Sequence, residues 1–371
     1  MLHKYKSTKL KMSDLENDLK RLETLVRPNI RILKPYSSAR DEFDLDHTHR
    51  PAATVFLDAN ENSLGSPLET NFSRYPDPHQ RALKRRLAQR EGLSADQIFL
   101  GNGSDEAIDL LLRAFCQPGQ DNVIVLPPTY GMYAVQAGVH GAELRAAPLR
   151  PDFSPDPAAV QAATNEFSKI IFLCSPNNPT GNHLPETFIR DILNEFPGLV
   201  VVDEAYGDFS GRPSLTNWLP EYPNLVVLKT FSKAWGLAGL RVGMAFAHPL
   251  VIATLNKIKY PYNLGTATLD LVLKAMDREA EVRQKIDCLL AERQRLAEGL
   301  RALPAVRRIY PSDANFLLVR VENADSTYNY LVKNGIVVRN RSREMHCENC
   351  LRMTVGSPKE NDLLLSTLLQ L

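Results

Sequence analysis

No apolar run in the 371 residues approaches the ~20 needed to cross a bilayer, so a membrane-spanning protein is not expected. Neither charge sign dominates: 44 Lys and Arg stand against 43 Asp and Glu, a formal net charge of +1. Such a chain carries no broad basic field, which argues against nucleic acid as a partner. Cysteine is scarce, odd in number and irregularly spaced (Cys116, Cys174, Cys288, Cys347, Cys350), so no disulfide framework is expected. Cys347-Glu-Asn-Cys350, preceded by His346, is a single CxxC. A structural zinc needs about four ligands and no second pair follows, so the thiols read as reduced, the chain as cytoplasmic, and no metal is expected. His47-Thr-His49, in a polar loop, is no stronger. The start, MLHKYKSTKLKMSDLENDLKRLE, is basic and then mixed, without the apolar core of a secretory signal. It reads as a loose start leading into a helical arm, with Met1 and Met12 both eligible as initiator. The whole chain, 44% apolar and 23% charged, is ordinary for a globular protein.

The middle of the chain alternates two patterns. VIVL (123–126), KIIFLC (169–174), LVVVDEAY (199–206), NLVVLKT (224–230) and RVGMAFA (241–247) are short, apolar and rich in β-branched residues, as strands covered on both faces are. Helical patterns such as Ser104–Phe115 and Pro185–Glu195 lie between them. This predicts an α/β fold with a mostly parallel sheet sandwiched by helices. From Thr266 to about Leu300 one long, charge-laced helix is expected. Strands near 315–321 and 335–339 then suggest a smaller α+β domain. The expected division is an N-terminal arm joining the small domain (1–50), a large domain (51–265), and a linking helix with the small C-terminal domain (266–371).

Four stretches carry chemistry. GNGSDEAIDLLLRAF (101–115) follows a short strand and opens a helix; the bland reading is a capped helix start, the functional one an anion site at its N-terminus. It is neither GxGxxG nor a Walker A loop. CSPNNPTGNH (174–183) makes a turn at the carboxyl end of a strand, where ligands of open α/β sheets bind. VVVDEAYGDF (200–209) ends a buried strand on Asp203 and Glu204, and a carboxylate there needs a partner. TFSKAWGLAGLRVG (230–243) places Lys233 after another strand end, with Arg241 beyond. A lone lysine is usually a solvated charge. In a partly dry site its pKa falls and its amine becomes nucleophilic. Successive strand ends thus offer Asn, Asp with Tyr, and Lys, beside a helix start and an arginine. These match pyridoxal phosphate: an aldehyde, a pyridine nitrogen, a phenolic oxygen and a phosphate.

NPTG (178–181), DEAY (203–206) and SKAWGLAGLR (232–241), in that order, resemble the fold-type I pyridoxal-phosphate aminotransferases. VRPNIRILKPYSSARDE (26–42), LDANEN (57–62), RYPDPH (74–79) and CLRMTVG (350–356) are similar to the histidinol-phosphate aminotransferase family. That resemblance implies transamination of histidinol phosphate with 2-oxoglutarate, in histidine biosynthesis, by a homodimer whose site is shared between subunits. Lys233 would hold the cofactor aldehyde and shuttle the proton, Asp203 would face the ring nitrogen, and Asn178 and Tyr206 the phenolic oxygen. Tyr130 would stack on the ring. Ser232, Arg241 and the backbone of Gly103, Ser104 and Asp105 would hold the phosphate, with Tyr75 reaching the other subunit's phosphate. Arg352 would take the glutamate carboxylate, Arg339 and Tyr36 the substrate phosphate, and Tyr262 the imidazole. Ser63 and Trp235 depart from the family's usual Pro and Phe. Threonine-phosphate decarboxylase and an aromatic or broad-specificity aminotransferase are the alternatives. A non-catalytic regulatory module would need a DNA-binding domain, for which the ~25 residues before the resemblance are too few.

Overall fold

The computed structural model describes residues 12–36, 55–70 and 72–371; Met1, His47, His49 and the serines after Tyr36 lie outside them. A seven-stranded sheet organises the larger unit. Its strands are β1 (Ile98–Asn102), β2 (Asn122–Val125), β3 (Glu143–Ala146), β4 (Ser168–Cys174), β5 (Leu199–Asp203), β6 (Leu225–Thr230) and β7 (Val242–Ala247), in the order β1-β7-β6-β5-β4-β2-β3. The pairs among β2 to β6 are parallel, and β7 alone runs against its neighbours. The expected mostly parallel sheet is therefore present. Because β7 is antiparallel to both β1 and β6, β1 points the same way as β6, and the carboxyl ends of β1, β4, β5 and β6 share one edge.

β4, β5 and β6 are buried along both faces, and alternate residues feed two cores. Val200, Val202 and Leu173 face one core; Leu199, Val201 and Phe172 face the other. Each fully buried side chain of this size contributes about 1.5–3 kcal/mol, enough to hold polar groups at the strand ends in a dry setting. β3 is mostly exposed and too polar to read as a strand.

A four-stranded antiparallel sheet forms the smaller unit: β8 (Val306–Ile309), β9 (Phe316–Val321), β10 (Arg339–Asn340) and β11 (Cys350–Thr354), in the order β10-β11-β9-β8. Leu317, Val319, Leu351 and Met353 close its own core. The alternate residues Phe316, Leu318 and Cys350 join the core shared with the large sheet. The small sheet thus turns one face toward the carboxyl edge of the large one. Among the described residues no helix is long and apolar enough to cross a membrane.

Three details differ from expectation. The N-terminal arm docks on the large unit, because Leu22 and Val26 are buried in that unit's core and Arg27 N donates to Ala114 O. The long helix is two helices, Thr266–Met276 and Glu279–Arg301. The first buries Leu269, Val272 and Met276 against the large unit, while the second puts Leu296 and Leu300 into the small core. Val282, Ile286 and Leu290 of the second helix still pack against the large core, so the passage from one unit to the other falls within that helix, between Leu290 and Leu296, rather than at 265. The 335–339 strand shrinks to Arg339–Asn340, since Ile336 and Val338 turn into the small core instead of pairing.

Candidate active site

The polar ends of the central strands meet in a pocket of about 260 Å³. Gly103, Ser104, Asp105, Tyr130, Asn178, Asp203, Tyr206, Ser232, Lys233 and Arg241 line it, together with Cys174, Ala205 and Thr230. Residues from β1, β4, β5 and β6, up to 130 positions apart, therefore share one space only because those four strands end at one edge.

Asp203 is 2% exposed. One carboxylate oxygen accepts from Ala205 N at 3.0 Å and the other from the Tyr133 hydroxyl at 2.7 Å. Both donors are neutral, and burial raises the Asp203 pKa above the ordinary carboxylate range. A cation brought to this carboxylate would relieve that cost. Glu204, its neighbour, turns away: it accepts from Leu215 N at 2.7 Å and from Ser214 Oγ, fixing the following loop. Of the two acids at the strand end, only Asp203 faces the pocket.

Lys233 lies in the turn after β6. Burial lowers its pKa, with the positive charges of Arg352 and Arg241 adding to the effect. Its Nζ lies 5.7 Å from the Tyr206 ring centre. Burial pushes the Tyr206 phenol up to about 12, so it is a hydrogen-bond donor at neutral pH.

The anion end sits where the Gly103–Phe115 helix begins. Gly103 has φ +72°, and its N–H donates to Arg241 O at 2.9 Å. Gly243 passes so close that a Cβ there would fall 2.1 Å from Ser104 N. Any side chain at 243 would push the helix start away. Arg241 is itself left-handed at φ +55°, a conformation that costs about 1–3 kcal/mol in a residue with a side chain. Its guanidinium lies 3.4 Å from Ser232 Oγ and 3.6 Å from the Asp105 carboxylate. The Tyr130 hydroxyl donates to the other Asp105 oxygen at 3.1 Å. A helix start, a hydroxyl and a guanidinium converging in this way suit a phosphate.

The small sheet lies beside the pocket without lining it, and reaches it through Asn178. Arg352 on β11 donates to Asn178 Oδ1 and lies 5.3 Å from the Phe316 ring centre. Arg339 on β10 is its direct cross-strand partner and is exposed. Arg339, Arg352, Tyr36, Tyr75 and Tyr262 do not line the pocket. Tyr75 and Tyr262 stack on one another with ring centres 4.5 Å apart, and Tyr36 is 74% exposed.

Two supporting groups escaped the sequence reading. Tyr133 is fully buried, stacks on Phe172 at 4.6 Å, and holds Asp203. Its spacing of three from Tyr130 was the available signal. Glu106 accepts from Asn102 N and from the Asn263 amide, and thereby ties the helix start to the loop carrying Tyr262.

The chain matches the family model described as aminotransferase class I and II over residues 42–368. It is 53% identical to a histidinol-phosphate aminotransferase of Parabacteroides distasonis, covering 94% of this chain and 99% of that one. The solved histidinol-phosphate aminotransferase of Sinorhizobium meliloti, in complex with pyridoxal-5'-phosphate, superposes with a TM-score of 0.74 over 92% of this chain and 96% of that one, at 24% identity. L-threonine-O-3-phosphate decarboxylase of Porphyromonas gingivalis gives 0.69 over 80% and 90%, at 22% identity. At these identities the two structures establish the shared fold alone.

Proposed function

The chain belongs to the class I and II aminotransferases and, within them, to the histidinol-phosphate aminotransferases; from that premise we propose that it exchanges an amino group between histidinol phosphate and 2-oxoglutarate with pyridoxal phosphate as cofactor. The observation that carries the reading is the pairing of a pocket-lining lysine and a buried carboxylate with an arginine, Arg352, bonded to a residue of the same pocket.

The pocket fits the cofactor. Asp203 offers a buried carboxylate to a ring nitrogen, and the helix start at Gly103 and Ser104, with Ser232 and Arg241, lines the same pocket and would hold a phosphate. When bound, pyridoxal phosphate supplies an aldehyde for an amine and a ring that accepts the charge released at the substrate's α-carbon. Tyr130 offers its ring face to the cofactor ring. Asn178, whose amide oxygen is taken by Arg352, keeps its amide N–H groups for the phenolic oxygen, and the Tyr206 hydroxyl donates beside it. Lys233 Nζ, with its lowered pKa, is the base that takes the α-proton and returns it one position along. Arg352, with Arg339 and Tyr36, binds the anionic group of either substrate, carboxylate or phosphate.

The site is shared in a homodimer. Ile32, Tyr36, Leu57, Leu64, Tyr75 and Tyr260 are large apolar or aromatic side chains more than half exposed, which favours a covered face. Tyr75 then serves the partner copy's cofactor phosphate, consistent with its absence from this chain's own pocket lining.

Addition of L-histidinol phosphate to the cofactor-loaded protein should bleach the visible cofactor band, and 2-oxoglutarate should restore it with one glutamate formed per site. Carbon dioxide release from threonine phosphate in place of that cycle would overturn the reading in favour of the decarboxylase.

A further inference from the structure

Arg341 lies just past β10 and has no role in the site as described so far. The strand register places it. Arg339 opposes Arg352 and Asn340 opposes Leu351, and Arg341 N continues the ladder by donating to Cys350 O at 2.9 Å. Side chains alternate along a strand, so Arg339, Arg341 and Arg352 share one face. Leu351, on the other face, is buried in the small core. The arginine face is the one turned toward Phe316 and Tyr206.

Within that row Arg341 is more enclosed than Arg339. Its side chain is 20% exposed and forms an ion pair with Glu344. Burial lowers the Arg352 pKa most, and Arg341 follows as the second cause, ahead of Arg339, although Arg339 is the direct cross-strand partner. Arg341 also helps draw the Tyr206 phenol down against the larger effect of burial. Hydrogen bonding at this corner is incomplete. Arg341 Nε, Ser342 Oγ and Glu344 Oε2 are all buried and without a hydrogen-bond partner among the described residues. Buried polar atoms are normally satisfied, so three such atoms within four residues mark a place where something else binds or the pair rearranges.

The proposed reaction poses a charge problem that this corner answers. One pocket must take a phosphate monoester of charge about −1.5 to −2 and, in the other half-reaction, a carboxylate of charge −1. Arg341 neutralised by Glu344 adds no net charge for the carboxylate. Released from Glu344, it adds one positive charge for the phosphate. We propose that Arg341 is a further substrate-recognition residue, taken up by the phosphate of the phosphorylated amine, and that Glu344 is its counter-charge when the carboxylate substrate is bound. This rests on the reading of the reaction above. The competing account is structural: Glu344 N donates to Arg341 O and Cys347 N to Glu344 O, so the pair also closes the turn leading into β11.

The two half-reactions separate these accounts. Arg341→Gln holoenzyme, checked for cofactor loading and thermal midpoint, would be mixed rapidly with L-histidinol phosphate or with L-glutamate. The kcat/KM for histidinol phosphate should fall about 10- to 100-fold, and by at least about tenfold more than that for glutamate. Equal losses in both would make the pair a structural clip and overturn the proposal; so would no loss in either. Arg341→Lys, which keeps the charge, should recover part of the phosphate-specific loss and guards against a folding defect in the first variant. Inorganic phosphate as an inhibitor of the glutamate half-reaction provides an independent arm. Its Ki should rise in Arg341→Gln and fall in Glu344→Gln. Should the wild type refuse histidinol phosphate, the proposed function fails, and an unaltered phosphate Ki in Arg341→Gln would still overturn the role given to Arg341.

Discussion

At the sheet end of the pocket, Asp203 and Lys233 stand at the ends of strands buried on both faces, and each has a role no neighbour can take over. Beside the pocket, on the small sheet, Arg339, Arg341 and Arg352 come from two short antiparallel segments, range from exposed to mostly buried, and carry the same charge. The first end depends on single groups fixed at strand ends, where a misplaced group has no substitute. The second depends on a sum of charges, where one member can partly cover for another. Substitutions at the sheet end should therefore be close to all-or-none, and those in the arginine row graded by burial.

Lys233→Ala should have the largest effect. It removes both the amine that holds the aldehyde and the proton carrier, so turnover should fall by more than about 10³-fold and the visible cofactor band should shift. Substantial activity in that variant would erase the contrast between the two ends. Next come the arginines. Arg352→Ala should lower kcat/KM by about 10²-fold and Arg339→Ala by about tenfold, because Arg352 is the more buried of the two and is bonded to Asn178. Steady-state kinetics with both substrates would check this, and the reverse order would break the link between burial and effect.

Tyr133→Phe sharpens the comparison at the sheet end. It leaves the ring stacked on Phe172 but strips one hydrogen bond from a buried carboxylate, and should cost about 1.5–3 kcal/mol in the cofactor-free protein by denaturant titration. A loss within experimental error would mean that Asp203 does not depend on this donor.

The smallest effect is one of pH. Lys233 reacts with an aldehyde only as the neutral amine, and its pKa is lowered by burial and then by Arg352 and Arg241. Recombination of the cofactor-free protein with pyridoxal phosphate should therefore rise with pH and level off below the range of an exposed lysine. Arg352→Ala removes a like charge, so the midpoint should move upward. A midpoint that stayed or moved down would disconnect the two ends electrically.

The sheet end was the more legible in sequence for a physical reason. A β-branched run such as LVVV ending in Asp203 reads as a buried strand with an acid at its tip that needs a partner, and several such polar tips in a parallel sheet point to one shared edge. Tyr133 was hidden because a tyrosine in the first turn of a helix looks the same whether it faces solvent or a carboxylate. The arginine row was harder to read. Arg339 and Arg352 came from family resemblance, and Arg341 became visible only through the register that sets it beside Cys350. The break at 277–278 carries no glycine or proline, so nothing in the sequence marks it. The docking of the arm depends on Leu22 and Val26, two apolar residues in a charged stretch.

The central claim is that a pocket holding pyridoxal phosphate at the sheet end reads a substrate phosphate at the arginine end. The most direct test is kcat/KM for L-histidinol phosphate against L-histidinol, which differ only in that phosphate, in the same holoenzyme with 2-oxoglutarate as acceptor. The account predicts a preference for the phosphorylated amine of at least about 10²-fold, the worth of two or more charge-assisted contacts. Equal turnover of the two amines would contradict it.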